Sequence, residues 1–348
     1  MKHHEFRGFP RDVGEGVGET FRGQIQKTLS ENAQLQNKIL PFHRTAEGGR
    51  KYQELLRLHD SRFPDYVSEI EGMSRGAGVP FEELFVANLW DVYEGFVPAT
   101  DTSGCSTCSL VTAEQAVFGH NEDNLPIYRG QMYLAHFEII GKPGFTALCY
   151  PGFLPGRALG FNSEGICFCA NSVPVRGNVT GESRHFIARS IFEADSLGHA
   201  IRLAHGLERA SGVSYTIGST KKRRIVDLEV SLNEVRVSEI TGVHFRANHY
   251  IRLTEVDQRI SPSSRARQQR GEELLAHGAV RDKKGVIKVL RDGKVPDYPI
   301  LRDGKSPDNG VTLATAVLDL DSKKVTIYPG AEKEKEAELE ALTEVSIE

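Results

Sequence analysis

The spacing of apolar residues changes abruptly near residue 104, and this change restricts the possible folds more than any other feature. From about residue 20 to residue 94, apolar residues recur every three or four positions, the spacing of amphipathic helices. The helical pattern breaks at residues 76–80 and then resumes, and Pro80 suits the first turn of the next helix. Residues 98–104 are predicted to form a loop. The chain is therefore expected to begin with a helical segment.

After residue 106, short runs rich in Val, Ile, Phe, Tyr and Thr are separated by turn residues, which predicts strands. The predicted strands are 107–112, 116–120, 132–140, 145–150, 157–161, 166–172, 213–218, 224–230, 234–239, 312–319 and 324–328, with helices at 184–207 and 263–276. Closely spaced strands pair antiparallel. Two facing sheets with helices outside form a four-layer αββα sandwich, and we predict this α+β fold. The alternative is a different α+β arrangement, in which the helices and the sheets form separate parts. The tail, 332–348, is predicted to be a solvated helix or a frayed end.

The composition is ordinary for a globular protein, and we take one domain over residues 1–348 as the default. Forty-three Lys and Arg against 47 Asp and Glu give a formal charge of -4, without the basic surface that nucleic acids require. No apolar run approaches the ~18 residues of a membrane span, and residues 1–7 are polar and have no apolar signal region after them. An odd set of five cysteines fits free thiols in a reducing compartment. We therefore expect a cytoplasmic protein.

The bond between Gly104 and Cys105 lies at the boundary between the helical segment and the strands. A glycine carbonyl has no side chain to shield it, and the next thiol can attack it to give a thioester that water opens. The products would be an α chain of residues 1–104 and a β chain of residues 105–348. The free α-amine of Cys105, with a pKa of about 7.7–8.0, would then accept the thiol proton. The alternative is a small buried cysteine at the start of a strand.

Several motifs occur in one order along the chain. They are residues 71–84 before the proposed cleavage site, GCSTC at 104–108 with GHNED at 119–123, GFNSEGI at 160–166 with ANS at 170–172, RANH at 246–249 and YPILR at 298–302. Together these motifs resemble the acyl-coenzyme A:6-aminopenicillanic acid acyltransferase family of N-terminal-nucleophile hydrolases. The similarity covers about residues 60–328. It implies the αββα fold of that family and self-cleavage before Cys105.

The resemblance also implies roles for five residues. Cys105 is the nucleophile, and Asp123, which closes the second motif, would hold and polarise the new α-amine. Asn248 would donate its amide to the oxyanion of the tetrahedral intermediate, and Asn171 is a second candidate for the same pocket. Arg302 would stabilise charge around the nucleophile or Asp123.

Each of these residues has a noncatalytic alternative. Asp123, together with Asn121 and Asn124, can cap a turn. The two asparagines assigned to the oxyanion pocket can instead bond backbone groups at strand ends. Arg302 can be a solvated turn arginine, as can Arg291 in the similar segment before it. A noncatalytic binding protein with an inactive version of the fold is the remaining class.

Cys105 and Cys108 have the spacing of a thiol oxidoreductase pair or of half a zinc site. A redox pair normally lies at a helix N-terminus, whereas the residues that follow here predict strands. A zinc site would need two further ligands, and Cys167 and Cys169 offer only alternate thiols on one strand face. We therefore expect no metal and no cofactor.

A papain-like nucleophile and base would combine Cys105 with His249, His120 or His185, but the local sequence signature of that class is absent. His120 and His249 are instead expected to shape the substrate pocket. Glu122 is a further candidate for substrate binding, because a carboxylate there can attract a substrate ammonium group.

A narrower resemblance concerns the substrate. Residues 104–109, 120–123, 151–156 and 184–187 resemble hydrolases of β-alanyl-dopamine and carcinine. This implies a small amide substrate, possessing a β-alanyl or related acyl group, that forms a thioester on Cys105. The chain departs from the acyltransferase pattern at Glu122 and Asn124, where aromatic residues are usual. If an amine instead of water takes the acyl group, the enzyme is an acyltransferase. The expected partners are this substrate, the two processed chains for each other, and further copies in a homo-oligomer.

Overall fold

A computed structural model of the protein describes residues 1–97, 104–175, 179–305, 307–331 and 340–347. Within these residues, seven α-helices precede residue 94, with a π-helical turn at Leu35–Ile39 among them, and four more α-helices lie between the strands. They are α1 Pro10–Thr20, α2 Arg22–Glu31, α3 Leu40–His43, α4 Ala46–Arg62, α5 Pro64–Ala77, α6 Phe81–Asn88, α7 Trp90–Tyr93, α8 Arg184–Ile191, α9 Leu197–His205, α10 Pro262–Ala276 and α11 Lys283–Leu290. None of the helices within the described residues is both long and apolar enough to cross a membrane.

The described strands form two sheets. They are β1 His3–Gly8, β2 Gly104–Val111, β3 Ala116–Asn124, β4 Tyr133–Ile139, β5 Phe145–Cys149, β6 Leu159–Asn162, β7 Ile166–Val173, β8 Gly212–Ser219, β9 Arg224–Val230, β10 Val235–Glu239, β11 Gly242–Arg246, β12 Val311–Asp319, β13 Lys324–Pro329 and β14 Thr343–Ser346. The first sheet has the order β1-β4-β5-β6-β7-β8-β9-β10, and the second has the order β11-β2-β3-β12-β13-β14. Strands β1 and β4 pair parallel.

The two sheets pack face to face through a shared apolar layer. Phe118 and Leu318 of the second sheet contact the same cluster as Leu148 and Phe161 of the first. On the outer side of the first sheet, α1 contacts β4 and α9 contacts β8, while α10 and α11 contact the second sheet. The predicted four-layer αββα arrangement is therefore confirmed, with the helical segment packed against the first sheet.

Helices α1 and α5 pack so closely that their backbones touch. A methyl group added at Gly72 of α5 would lie 2.0 Å from the backbone oxygen of Arg11, and one added at Gly14 of α1 would lie 1.9 Å from that of Glu69. Atoms cannot approach so closely, so these positions accept only glycine unless the helices move apart.

The structure corrects three boundaries. Gly104 begins β2 instead of ending a loop, and the rest of the predicted loop lies outside the described residues. Pro80 precedes α6 as its N-cap instead of lying in its first turn. The predicted helix 184–207 is two helices, because the Ser196 side chain accepts a hydrogen bond from the His199 backbone and so starts a new helix.

The structure also contains elements that the sequence did not indicate. Three of them, β1, β11 and β14, lie at sheet edges, and β14 replaces the helix or frayed end expected for residues 343–346. An edge strand pairs on one side only and buries few side chains, so its sequence alternates weakly. Helix α11 is also new, and it is only eight residues long.

The hairpin of β2 and β3 places the candidate residues. Cys105 pairs with Glu122 and Thr107 with His120, while Gly104 pairs with Asp123. Because successive side chains of a strand point to opposite faces, the first two pairs share one face of the sheet. That face is turned to β7 of the first sheet, since Thr107 donates a hydrogen bond to Asn171 across the gap.

Candidate active site

The peptide between Gly104 and Cys105 is surrounded by polar side chains. A carbon added at Gly104 would lie 2.9 Å from one atom each of Arg267, Arg302 and Asn248. No side chain fits there without displacing these groups. A side chain at this position would therefore push aside the polar groups around the bond that is proposed to break.

Asn248 holds the nitrogen of Cys105. Its side-chain oxygen accepts a hydrogen bond from the Cys105 backbone N–H at 2.8 Å, and a second one from Arg267 at 2.8 Å. The Asn248 amide, which was expected to face an oxyanion, donates instead to the backbone oxygen of Ser172 at 2.9 Å. The two donors, Cys105 and Arg267, draw the oxygen toward the nucleophile and so turn the amide away from it.

Arg267 of α10 belongs to the site and was missed from the sequence. Its Nη1 donates to the Cys105 backbone oxygen at 2.7 Å and to the Ser106 hydroxyl at 2.9 Å. Burial, reinforced by the nearby charge of Arg302, lowers the pKa of Arg267 to about 10. The sequence analysis predicted a helix over residues 263–276 but assigned no role to Arg267. The usable signal was the small residues Ser263, Ser264 and Gly271, at helical spacing from Arg267, which leave room for its long side chain.

Asp123 is buried on the opposite face of β3 from Glu122. Its Oδ1 accepts a hydrogen bond from Thr312 at 2.7 Å, and its Oδ2 has no hydrogen-bond partner and lies 3.8 Å from Nη1 of Arg302. Burial raises the pKa of Asp123 to about 6, against the opposing charges of Arg302 and Arg267. The alternative of a turn cap is wrong, because Asp123 lies within a strand.

Arg302 is an interior residue. It is 1% exposed, and its Nε donates to Asp308 at 2.8 Å. The alternative of a solvated turn arginine is therefore wrong. Asp308, which the sequence reasoning did not single out, orients the guanidinium group so that Nη1 faces Asp123.

The thiol of Cys105 lies beside a glutamate and a histidine. Its sulfur is 3.8 Å from Oε2 of Glu122, and the same oxygen is 3.1 Å from Nε2 of His120. The hydroxyl of Tyr150 donates to Oε1 of Glu122 at 2.5 Å. Burial, followed by the Glu122 charge, raises the pKa of the Cys105 thiol, so a proton acceptor is needed to generate the thiolate.

His120 and Asn171 connect this group to the first sheet. Nδ1 of His120 lies 2.9 Å from the Thr107 hydroxyl, which donates to Oδ1 of Asn171 at 2.8 Å. Burial alone would lower the pKa of His120, but the sulfur groups of Cys169 and Cys105 raise it well above its usual value. Asn171 thus orients Thr107, and its amide donates to a backbone oxygen. It does not line the pocket described below.

The other two histidines are not brought to the thiol. Nδ1 of His249 lies 2.8 Å from the Ser264 hydroxyl, and burial, followed by the charges of Arg246 and Arg267, lowers the pKa of His249 to about 4. His185 lies 3.1 Å from the backbone oxygen of Asn88. Neither lines the pocket beside Cys105, so the papain-like pairs with either residue receive no support from the geometry. His120 does not line it either, so the substrate-binding roles expected for His120 and His249 are not supported, whereas Glu122 does line the pocket.

The Cys-X-X-Cys alternative does not fit the strand. Cys105 and Cys108 point to opposite faces of β2, and Cys108 packs against Val286 and Val289 of α11. All five cysteines are free. The possible ligand atoms of Cys105, His120 and Glu122 lie within 4.8 Å of one another. Because the last two already hydrogen-bond to each other, we assign no metal to them.

A small pocket opens beside Cys105. It is lined by Gly104, Cys105, Glu122, Asp123, Asn124, Arg157, Ala170, Ser172, Arg184 and Val213. Nη1 of Arg157 is buried without a hydrogen-bond partner, and its guanidinium lies 4.2 Å from the centre of the Phe153 ring. The pocket lining thus includes the carboxyl groups of Glu122 and Asp123 and two arginines, Arg157 and Arg184, that the sequence did not indicate as site residues.

Comparison with known proteins assigns the family. Residues 111–334 match the acyl-coenzyme A:6-aminopenicillanic acid acyl-transferase family. The chain belongs to this family. The matched segment includes the candidates Asp123, Asn248 and Arg302, and it begins after Cys105. Membership of the acyl-transferase family also identifies the protein as an enzyme.

Relatives of this acyl-transferase family member match nearly the whole chain. Beta-alanyl-dopamine/carcinine hydrolase of Drosophila melanogaster is 26% identical over 95% of this chain and 93% of its own. The 40 kDa form of acyl-coenzyme A:6-aminopenicillanic-acid-acyltransferase of Emericella nidulans is 25% identical, again over 95% of this chain and 93% of its own. Among solved structures, conjugated bile acid hydrolase of Clostridium perfringens matches with a TM-score of 0.47 and 11% identity, over 68% of this chain and 92% of that one.

Proposed function

We propose that the protein is a cysteine amidohydrolase that cleaves its own Gly104–Cys105 bond and then hydrolyses small N-acyl amides through a thioester on Cys105. One observation carries the proposal. The nitrogen of the Gly104–Cys105 peptide is held by Asn248, the next carbonyl oxygen along the chain, that of Cys105, is held by Arg267, and a carbon added at Gly104 would lie 2.9 Å from an atom of each of these two side chains. Such packing suits a peptide that reacts.

In the proposed turnover, the new α-amine of Cys105 takes the thiol proton and the thiolate attacks the substrate carbonyl. The Asn248 oxygen, which accepts from this nitrogen in the uncleaved chain, would orient the amine lone pair toward the sulfur. The charges of Arg267 and Arg302 would favour the negative charge that develops at the carbonyl oxygen. Asp123 offsets the charge of these arginines within the buried site.

The partition between hydrolysis and acyl transfer depends on which nucleophile opens the thioester. The cavity beside Cys105 measures about 30 Å³, which has room for about two water molecules. A cavity of this size admits water to the thioester, and hydrolysis is therefore the outcome that we propose. The amide chemistry of both relatives is compatible with either outcome.

The acyl group has two candidates. The Drosophila relative is named for β-alanyl substrates, and Glu122 in the pocket would attract their ammonium group. Glu122 already bonds His120 and Tyr150, however, whereas Arg157 has an unpaired buried nitrogen. This second observation favours an acyl group that ends in a carboxylate.

The test has two parts. A denaturing gel of the purified protein should show fragments of 104 and 244 residues, which together make up the 348 residues of the chain. N-terminal sequencing should find a chain that begins with Cys105, and Cys105→Ala should stay whole and inactive. A fully active protein that remains one chain would refute the proposal. Amine release from β-alanyl, γ-glutamyl, succinyl and acetyl amides would then identify the acyl group.

A further inference from the structure

Self-cleavage requires a base that differs from the base of later turnover. The α-amine of Cys105 does not exist until the bond to Gly104 is broken, so it cannot take the thiol proton in the precursor. Burial raises the pKa of that thiol, and Glu122 is the carboxylate that approaches its sulfur, at 3.8 Å. The question is whether Glu122 can accept a proton while it is bonded to His120.

The hydrogen bonds around His120 determine its protonation. The Asn171 amide donates to the backbone oxygen of Ala247, so its Oδ1 must accept from the Thr107 hydroxyl. The hydroxyl uses its single proton in this hydrogen bond to Asn171, so it can only accept a hydrogen bond from Nδ1 of His120. Nδ1 carries a proton, and Nε2 faces a carboxylate oxygen of Glu122.

A neutral His120 with its proton on Nδ1 would direct a lone pair at Glu122. Two acceptors 3.1 Å apart repel each other, so one proton must lie between Nε2 and Oε2. Tyr150 donates to the other oxygen of Glu122, and, against the effect of burial, the sulfurs of Cys169 and Cys105 raise the pKa of His120, so this proton is assigned to Nε2. The pair is then an imidazolium beside a carboxylate, buried at 0% and 3% exposure. Tyr150 stabilises the carboxylate by donating to Oε1. The result is a proton acceptor and a fixed positive charge next to one thiol.

We propose that Glu122 is the proton relay of self-cleavage and that the His120 imidazolium stabilises the thiolate. This inference rests on the proposed function, and it concerns self-cleavage, the step that precedes substrate turnover. Asp123 does not serve this role, because it lies on the other face of β3, where it is bonded to Thr312.

The thiol proton of Cys105 moves to Oε2 of Glu122, and the sulfur attacks the Gly104 carbonyl carbon. The bond between the Gly104 carbonyl carbon and the Cys105 nitrogen then breaks, while the new carbon–sulfur bond remains. Glu122 returns the proton to the departing nitrogen. Water then hydrolyses the thioester, which releases the Gly104 carboxylate and restores the thiol. No further reactant besides water is needed.

The first test measures cleavage of pulse-labelled full-length chains by mass spectrometry. We expect Glu122→Gln to slow cleavage roughly 100-fold, since general acid–base groups contribute this much or more. Glu122→Asp keeps a carboxylate and should restore cleavage to within about tenfold of the wild type. Glu114→Gln is the matched control, because it removes an exposed carboxylate in the turn between β2 and β3. This variant should cleave normally.

The outcomes separate the two proposals. If the wild type itself stays whole, the proposed function fails. If the wild type cleaves and Glu122→Gln cleaves equally fast, only the relay fails. Hydroxylamine adds a further criterion, because it cuts thioesters. If hydroxylamine released fragments from Glu122→Gln as fast as the wild type cleaves, the acyl shift would proceed at its full rate without Glu122, and the relay would be overturned.

A second variant covers the case in which Glu122→Gln does not fold. The groups that face Glu122 are Cys105 of β2, His120 of β3, Tyr150 after β5 and Arg157 across the pocket. Tyr150→Phe removes a donor to the carboxylate and makes it easier to protonate. As the pH is lowered, the variant should therefore stop cleaving at a higher pH than the wild type does. An unchanged pH profile would overturn the relay.

Discussion

Replacing Asp123 by asparagine should stabilise the folded chain at neutral pH, although it removes a candidate catalytic group. The carboxylate is buried, and one of its oxygens has no hydrogen-bond partner. Burial raises the pKa of Asp123 from 3.8 to about 6, so the folded state disfavours the charged form. At 1.36 kcal/mol for each pKa unit, the charge costs about 3 kcal/mol of folding free energy above pH 6. Asparagine has no such charge.

The pH dependence follows from the same shift. Between about pH 4 and the folded pKa of Asp123, the folded chain binds a proton that the unfolded chain has released. The stability of the aspartate protein therefore falls as pH rises through this range. The advantage of asparagine should be absent below about pH 4, grow up to about pH 6 and stay constant above it.

The assay compares Cys105→Ala with Cys105→Ala/Asp123→Asn, so that both proteins are uncleaved chains. Urea unfolding, followed by circular dichroism at about pH 4 and about pH 7, measures the free energy difference. Asp60→Asn, at an exposed position of α4, is the control and should change stability by less than about 0.5 kcal/mol. If the Asp123→Asn protein is no more stable than its parent at pH 7, the argument from burial is wrong. In the otherwise native chain, the same substitution should reduce cleavage or turnover.

Three further predictions concern the cleavage site, the helix pair and the pocket. Gly104→Ala should slow self-cleavage, since its methyl group would displace three polar groups 2.9 Å away; an unchanged rate on a denaturing gel would contradict this. Gly72→Ala should destabilise the fold by about 1–3 kcal/mol in urea unfolding, whereas Gly49→Ala, at an open helical position, should stabilise it by about 0.5–1 kcal/mol. Arg157→Gln should lower kcat/KM for succinyl amides more than for acetyl amides, and an equal loss for both would exclude its role in anion binding.

Much of the fold follows from local patterns in the sequence. Apolar residues at helical spacing identified most of the helical segment, and β-type runs identified the interior strands, because buried residues must repeat with the period of the element that contains them. The strands that escaped notice, β1, β11 and β14, lie at sheet edges, where this requirement is weak.

The residues next to the thiol could not be assembled in the same way. The sequence singled out Cys105 and Glu122 by motif, and their pairing across a hairpin is a local consequence of strand register. It did not indicate that Arg267 would reach the Cys105 oxygen, because 162 residues separate them along the chain. Distant contacts of this kind depend on how helices and sheets pack, and no local spacing encodes them.

The sequence by itself determined the residue types at the reactive bond, the alternation that forms the two sheets and the order of the family motifs. Only the tertiary structure decided which groups meet there. It turned the Asn248 oxygen toward the Cys105 nitrogen, buried Arg302 and joined His120 to Glu122. The reason is physical: periodic burial acts on neighbours along the chain, whereas protonation and hydrogen bonding depend on the groups that packing brings into contact.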